Sequence, residues 1–106
     1  MMPNETLARC LMASYLYYYC DKSLITDEEY DACMLYVRAK FNDISIPLKR
    51  LVDKNLLDKS TSLYYIREYE YPNSFKHLAW DAYNLKHPED VRPIISRKRK
   101  WTRMKN

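Results

Sequence analysis

The chain has no glycine in its 106 residues, so every turn is built from residues that carry a Cβ. Loops that cradle phosphate need glycine for tight turns and for close approach of backbone N–H groups. The P-loop, the dinucleotide fingerprint and any lysine-centred nucleotidyl-transfer motif with a neighbouring glycine are therefore excluded. An autonomous nucleotide-hydrolysing or nucleotidyl-transferring enzyme is not expected, and the chain reads as non-catalytic. Hydrophobic residues make up 47% and charged residues 30%. A chain of this length buries about two-thirds of its unfolded surface, which predicts one modest core.

Tyrosine supplies 11 of the aromatic residues, against 2 Phe and 2 Trp. Its ring fills core space while its hydroxyl reaches a partner, so the bias fits cores, interfaces and half-open pockets alike. No apolar run approaches the ~20 residues needed to cross a bilayer, and Met1-Met2-Pro3-Asn4-Glu5 lacks the basic flank and apolar stretch of a signal peptide. A cytoplasmic location without membrane contact is expected. Cys10, Cys20 and Cys33 are odd in number and lack C-x-x-C spacing, which predicts buried free thiols rather than disulfides or a zinc site. His77 and His87 stand ten residues apart with no third ligand at helical spacing, so no metal is expected.

The charge is unevenly placed. Residues 1–91 hold eleven basic and fourteen acidic side chains, a net of −3, whereas residues 92–106 hold seven basic side chains and no acid. Pro88 and Pro93 bracket the change, which predicts one domain over 1–91 and a basic tail over 92–106. Within that tail Arg97, Lys98, Arg99, Lys100, Arg103 and Lys105 surround Trp101. Phosphate-neutralising charge beside one stacking ring is the footprint of DNA or RNA contact. With all seven tail charges on duplex phosphates, the log–log salt slope would be about −6. A solubilising end, or a strip for an acidic patch on a protein partner, fits the same composition.

The body reads as mostly α. Asn4 is placed to cap a helix running to Cys20, in which Leu7, Leu11, Tyr15 and Tyr18 form one apolar face. After a short polar connector, Thr26-Asp27-Glu28-Glu29 spells a capping box that starts a second helix with the stripe Tyr30, Met34, Val37 and Phe41. The two are expected to pack as an antiparallel hairpin over 4–42. Pro47 is placed to open a short helix that turns Leu48, Leu51 and Val52 inward. Residues 63–71 fit both a helical stripe and strand alternation, and a short extended piece is expected there. A third clear helix, capped by Asn73 or Ser74 and turning Phe75, Leu78, Ala79 and Ala82 inward, ends near His87-Pro88.

The string from Tyr15 to Asp31, YLYYYCDKSLITDEEYD, resembles the N-terminal helical hairpin, domain Ia, of the NAD-dependent bacterial DNA ligases. In that family a tyrosine-rich helix end leads through a short connector into a helix beginning D-x-E-Y-D. The likeness covers these seventeen residues strongly and the first forty loosely. It implies recognition of NAD through its nicotinamide mononucleotide half. By position, the family's ring-stacking tyrosines correspond to Tyr17 and Tyr30, and its polar contacts to Asp27 and Asp31. The family's histidine after the first tyrosine is replaced here by Tyr18, at the phosphate and ribose end of the site. Nothing after Asn42 resembles the ligase catalytic domain, so the resemblance implies a stand-alone module of a bacteriophage or bacterial cytoplasm. Its partners would be a nicotinamide nucleotide or a protein of DNA metabolism.

The same residues carry that chemistry in their own right. Asp27, Tyr30 and Asp31 fall at i, i+3 and i+4 and so share one helix surface. An oxidised nicotinamide is a flat cation, drawn to an aromatic face by ~0.5–2 kcal/mol, and carboxylates add attraction and accept its hydrogen bonds. A purely structural account stands beside it. Tyr30 heads the core stripe, Asp27 complements the helix dipole, Asp31 is solvated, and Tyr17 belongs to the packing of a tyrosine cluster.

Overall fold

The computed structural model describes residues 2–59 and 62–95. Four α-helices occur among them: α1 (Pro3–Cys20), α2 (Asp27–Ala39), α3 (Lys54–Lys59) and α4 (Asn73–Asn84). Single 3-10 turns lie at Phe41–Asp43, Pro47–Leu51 and Glu68–Glu70, and the described residues contain no strand.

Helix α1 starts one residue before the expected position. Pro3 takes the first helical position, where its missing N–H costs nothing, and Met2 rather than Asn4 is the cap residue. The Asn4 amide instead ties the helix start to a distant loop, accepting from the Ser45 N–H at 2.8 Å and donating to Ser45 Oγ at 3.2 Å. At the other end Asp21 closes α1 in the left-handed conformation (φ 56°), the one positive φ among the described residues. Glycine ordinarily serves at such a position, and in a glycine-free chain aspartate, which tolerates this region better than most residues, takes it.

The capping box of α2 forms as the sequence predicts. The Glu29 N–H donates to Thr26 Oγ1 at 3.1 Å, and the Thr26 N–H donates to Glu29 Oε1 at 2.9 Å. That backbone donor holds the Glu29 carboxyl below the usual range. Along the hairpin Ser14 meets Tyr30 and the Cys10 thiol meets that of Cys33, which makes the pairing antiparallel. Leu7, Leu11, Leu16, Met34 and Val37 fill the contact. All three cysteines are free; Cys10 and Cys33 are buried and Cys20 is half-buried. Phe41 lies beyond α2, in the first 3-10 turn, with the Lys49 ammonium 4.6 Å from its ring centre.

Helix α4 packs on α1 through a face that keeps the expected Phe75 and Ala79 but is shifted away from Leu78 and Ala82. Phe75, Ala79, Trp80 and Tyr83 are buried, whereas Leu78 is 53% exposed and Ala82 half-buried. The larger rings of Trp80 and Tyr83 bury more apolar area than Leu78 and Ala82 would, and this rotates the helix. Pro72, not Asn73 or Ser74, occupies the cap, and the helix stops at Asn84. The extended piece expected over 63–71 is replaced by turns, because it finds no neighbouring strand. Its backbone groups close on themselves, Ile66 N–H to Leu63 O and Tyr71 N–H to Glu68 O. Leu63, Ile66 and Tyr71 point into the core. Of the segment Pro47–Val52, Leu51 and Val52 are buried and Leu48 is half-buried.

Arg92, the first residue of the basic segment, is bound to α4 through the Asp81 carboxylate and, at 3.2 Å, through His77 Nδ1. Ile95 packs against the core. The residues expected to touch nucleic acid, Arg97, Lys98, Arg99, Lys100, Trp101, Arg103 and Lys105, lie outside the described residues. No helix among the described residues is long and apolar enough to cross a membrane.

Candidate ligand-binding cleft

Four tyrosines at the end of α1 stand near the first turn of α2. Successive residues on a helix point about 100° apart, so the tyrosines that close α1 diverge. Tyr15 enters the core, its ring 5.5 Å from that of Tyr71. Tyr19 donates to the Ile66 carbonyl at 2.6 Å. Tyr17 is 61% exposed, and Tyr18, 41% exposed, packs edge-on against it at 5.0 Å. The Tyr18 hydroxyl shares a 2.9 Å hydrogen bond with Ser62 Oγ, which bridges the end of α1 to the segment after α3.

Across from these rings stands the first turn of α2. Tyr30 is half-buried, and its hydroxyl shares a 2.9 Å hydrogen bond with Ser14 Oγ, a residue that is itself buried. Burial pushes the Tyr30 phenol pKa up, so it stays protonated. Asp27 and Asp31 flank it, both exposed, and their carboxylates make no hydrogen bond or ion pair among the described residues. Three of these side chains come from adjacent positions on one helix surface, as the i, i+3, i+4 spacing requires.

The result is a cleft of about 330 Å³ bordered by all five residues singled out from the sequence: Tyr17, Tyr18, Asp27, Tyr30 and Asp31. The structural account of Tyr30 holds as well, because the same ring packs against the core and borders the cleft. The sequence reading missed Ser14, Ser23, Ile25 and Ser62, which complete the walls. Ser14 was within reach of a simple projection, lying one helical turn before Tyr17 and Tyr18. Ser62 had no local signal, since it arrives from 44 positions away.

Chemically the cleft joins aromatic edges, serine hydroxyls and two carboxylates. A larger groove of about 670 Å³ on the same hairpin, bordered by Met2, Thr6, Arg9, Met12 and Cys33 among others, has no aromatic ring in its described lining and offers no stacking surface. No group of three or more His, Cys, Asp or Glu suited to a metal ion occurs among the described residues. Comparison of the chain with protein-family models, with curated proteins and with solved structures finds no match.

Proposed function

We propose that the protein is a non-catalytic binding module whose cleft takes the nicotinamide-ribose end of NAD or of nicotinamide mononucleotide. One observation carries this reading: the residues bearing the likeness to ligase domain Ia border one cavity, with both carboxylates beside a ring whose hydroxyl is already held. Tyr17, Tyr18 and Tyr30 are the ring surfaces for a flat cation, and Asp27 and Asp31 supply opposite charge and acceptors for its amide and ribose hydroxyl hydrogens. A volume of about 330 Å³ lies at the lower end of the ~300–1,000 Å³ of ligand pockets, a size for one ring and one sugar. The proposed setting is the cytoplasm of a bacterium or an infected host cell, in NAD or DNA metabolism.

Titration of the protein with nicotinamide riboside and nicotinamide mononucleotide, followed by calorimetry or ligand-observed NMR, tests the reading. Binding of at least one, abolished by Tyr30→Ala combined with Asp31→Ala, is the expected result. Failure of both ligands to bind at millimolar concentration, or binding indifferent to the double variant, overturns it.

A second role, contact with DNA or RNA, is proposed for the basic C-terminal segment. The segregation of charge favours it, as seven basic residues and no acid fall in 92–106. Arg92 is already engaged by Asp81, which leaves six and lowers the expected log–log salt slope to about −5 on duplex DNA. Removal of residues 96–106 is expected to abolish salt-dependent retardation of DNA in a gel. Indifference of the full chain to DNA at low salt would remove this role.

A further inference from the structure

We propose that the cleft selects net positive charge and rejects phosphate, so that its preferred ligand is a phosphate-free cationic nucleoside of the nicotinamide riboside type, with the mononucleotide a weaker ligand. The inference rests on the reading of the cleft as a nicotinamide site and narrows that reading to one charge class.

Among the described residues bordering the cavity, Asp27 and Asp31 carry the only charges; the others are alanine, serine, tyrosine, leucine and isoleucine. A phosphate in a protein site is ordinarily met by Lys or Arg, or by free N–H groups at a helix N-terminus. Lys and Arg are absent from the described lining. Lys22, the basic residue of the connector, is turned to Asp90 at 3.4 Å. Helix α2 does point its N-terminus toward the cleft, but the Thr26–Glu29 box takes the Glu29 N–H. Asp27, Glu28 and Glu29 place three carboxylates in that first turn, where the positive end of the dipole already has its counter-charge. A glycine-free chain also lacks the glycine-built loops that bring bare backbone to a phosphate.

Hydroxyl groups are neutral and leave this balance of charge unchanged. Tyr30 and Tyr18 share their hydroxyl bonds with Ser14 and Ser62. The position where the ligase pattern has a histidine, a side chain able to carry a proton, is the neutral Tyr18. A ligand with one positive ring gains from both aspartates. Adding a phosphate of one to two negative charges sets that group against the same two aspartates.

Titration of the full chain with three probes separates charge from shape: nicotinamide riboside, its uncharged dihydro form, and nicotinamide mononucleotide. At low salt the riboside is expected to bind about tenfold more tightly than the mononucleotide, and the dihydro form more weakly than the oxidised riboside. Added salt is expected to weaken the riboside and strengthen the mononucleotide, because screening removes an attraction in one case and a repulsion in the other. Asp27→Asn combined with Asp31→Asn, both at exposed positions, is expected to lower affinity for the riboside and raise it for the mononucleotide. Equal or tighter binding of the mononucleotide, or equal binding of the dihydro form, overturns the charge selection and leaves the nicotinamide reading standing. Absence of binding by all three overturns both.

Discussion

Among the described residues, tyrosine and aspartate are used in contrasting ways at the end of α4 and at the start of α2. Beyond α4 the Tyr83 hydroxyl donates to Asp90 at 2.6 Å, the same carboxylate lies 3.4 Å from the Lys22 ammonium, and the Tyr83 ring stacks on His87 at 4.5 Å. Asn84 adds its amide to the His87 and Asp90 carbonyls at 2.9 Å each. At the start of α2, Tyr30 shares its hydroxyl bond with Ser14 instead, and Asp27 and Asp31 keep their acceptor capacity. Residue type therefore does not distinguish a tie from a site. A carboxylate that already holds a phenol and an ammonium has little left for a ligand. Two carboxylates facing solvent beside an anchored ring retain theirs.

The contrast can be broken most directly by truncating each ring. Tyr83→Ala is expected to lower the thermal midpoint by more than about 10 °C, because a buried ring, its stacking and the Asp90 tie are lost together. Tyr30→Ala is expected to cost about half as much, since that ring is half-buried. Melting curves that reverse this order would remove the distinction between a structural tie and a binding ring.

The pH dependence sharpens it. The hydrogen bond to Asp90 pushes the Tyr83 phenol up from its ordinary 10.0 to about 12. The stability this contributes is present below pH 10 and lost as pH rises toward 12. The same bond holds the Asp90 carboxyl below its usual range. That part is present above the ordinary carboxylate pKa of about 4 and lost as pH falls through the lowered value. Asp90→Asn is expected to flatten the alkaline limb of a stability–pH curve between pH 10 and 12. An unchanged limb would show that the tie carries no stability.

Smaller effects follow in the connector and at the cleft. Asp21→Gly is expected to stabilise the protein by up to about 1 kcal/mol in denaturant titration, by removing the Cβ from a left-handed position. Loss of stability there would mean that the aspartate side chain itself holds the connector feeding Lys22 to one grouping and Asp27 to the other. Asp27→Asn and Asp31→Asn are each expected to change stability by no more than about 0.5 kcal/mol. A larger loss would place these carboxylates with Asp90, as structural ties.

Much of the hairpin was legible because its signals are local. Thr26 and Glu29 sit three residues apart in a capping box, and Leu7, Leu11 and Tyr15 repeat at helical spacing. The cleft was legible where the hairpin builds it, since Tyr17 to Asp31 form one stretch and the helix period groups Asp27, Tyr30 and Asp31. Residues 63–71 were not, because tyrosine fits either side of a surface. Tyr65 and Tyr69 read as an apolar stripe, yet Tyr69 is exposed and the Tyr65 hydroxyl accepts the Asp53 N–H at 2.9 Å. The face of α4 was misjudged for a related reason: Leu78 and Ala82 fit the period as well as Trp80 and Tyr83 do, and only the space left by α1 chooses between them.

What the amino-acid sequence determined alone is the mostly helical class, the start of α2 and the want of any glycine-built phosphate cradle, all of which depend on residues within a turn of one another. Tertiary structure alone decided that Tyr18 meets Ser62, that Tyr30 meets Ser14 and that Lys22 goes to Asp90. These contacts join residues 16 or more positions apart. Their formation depends on how each helix is rotated in the packed core, and no local propensity sets that rotation.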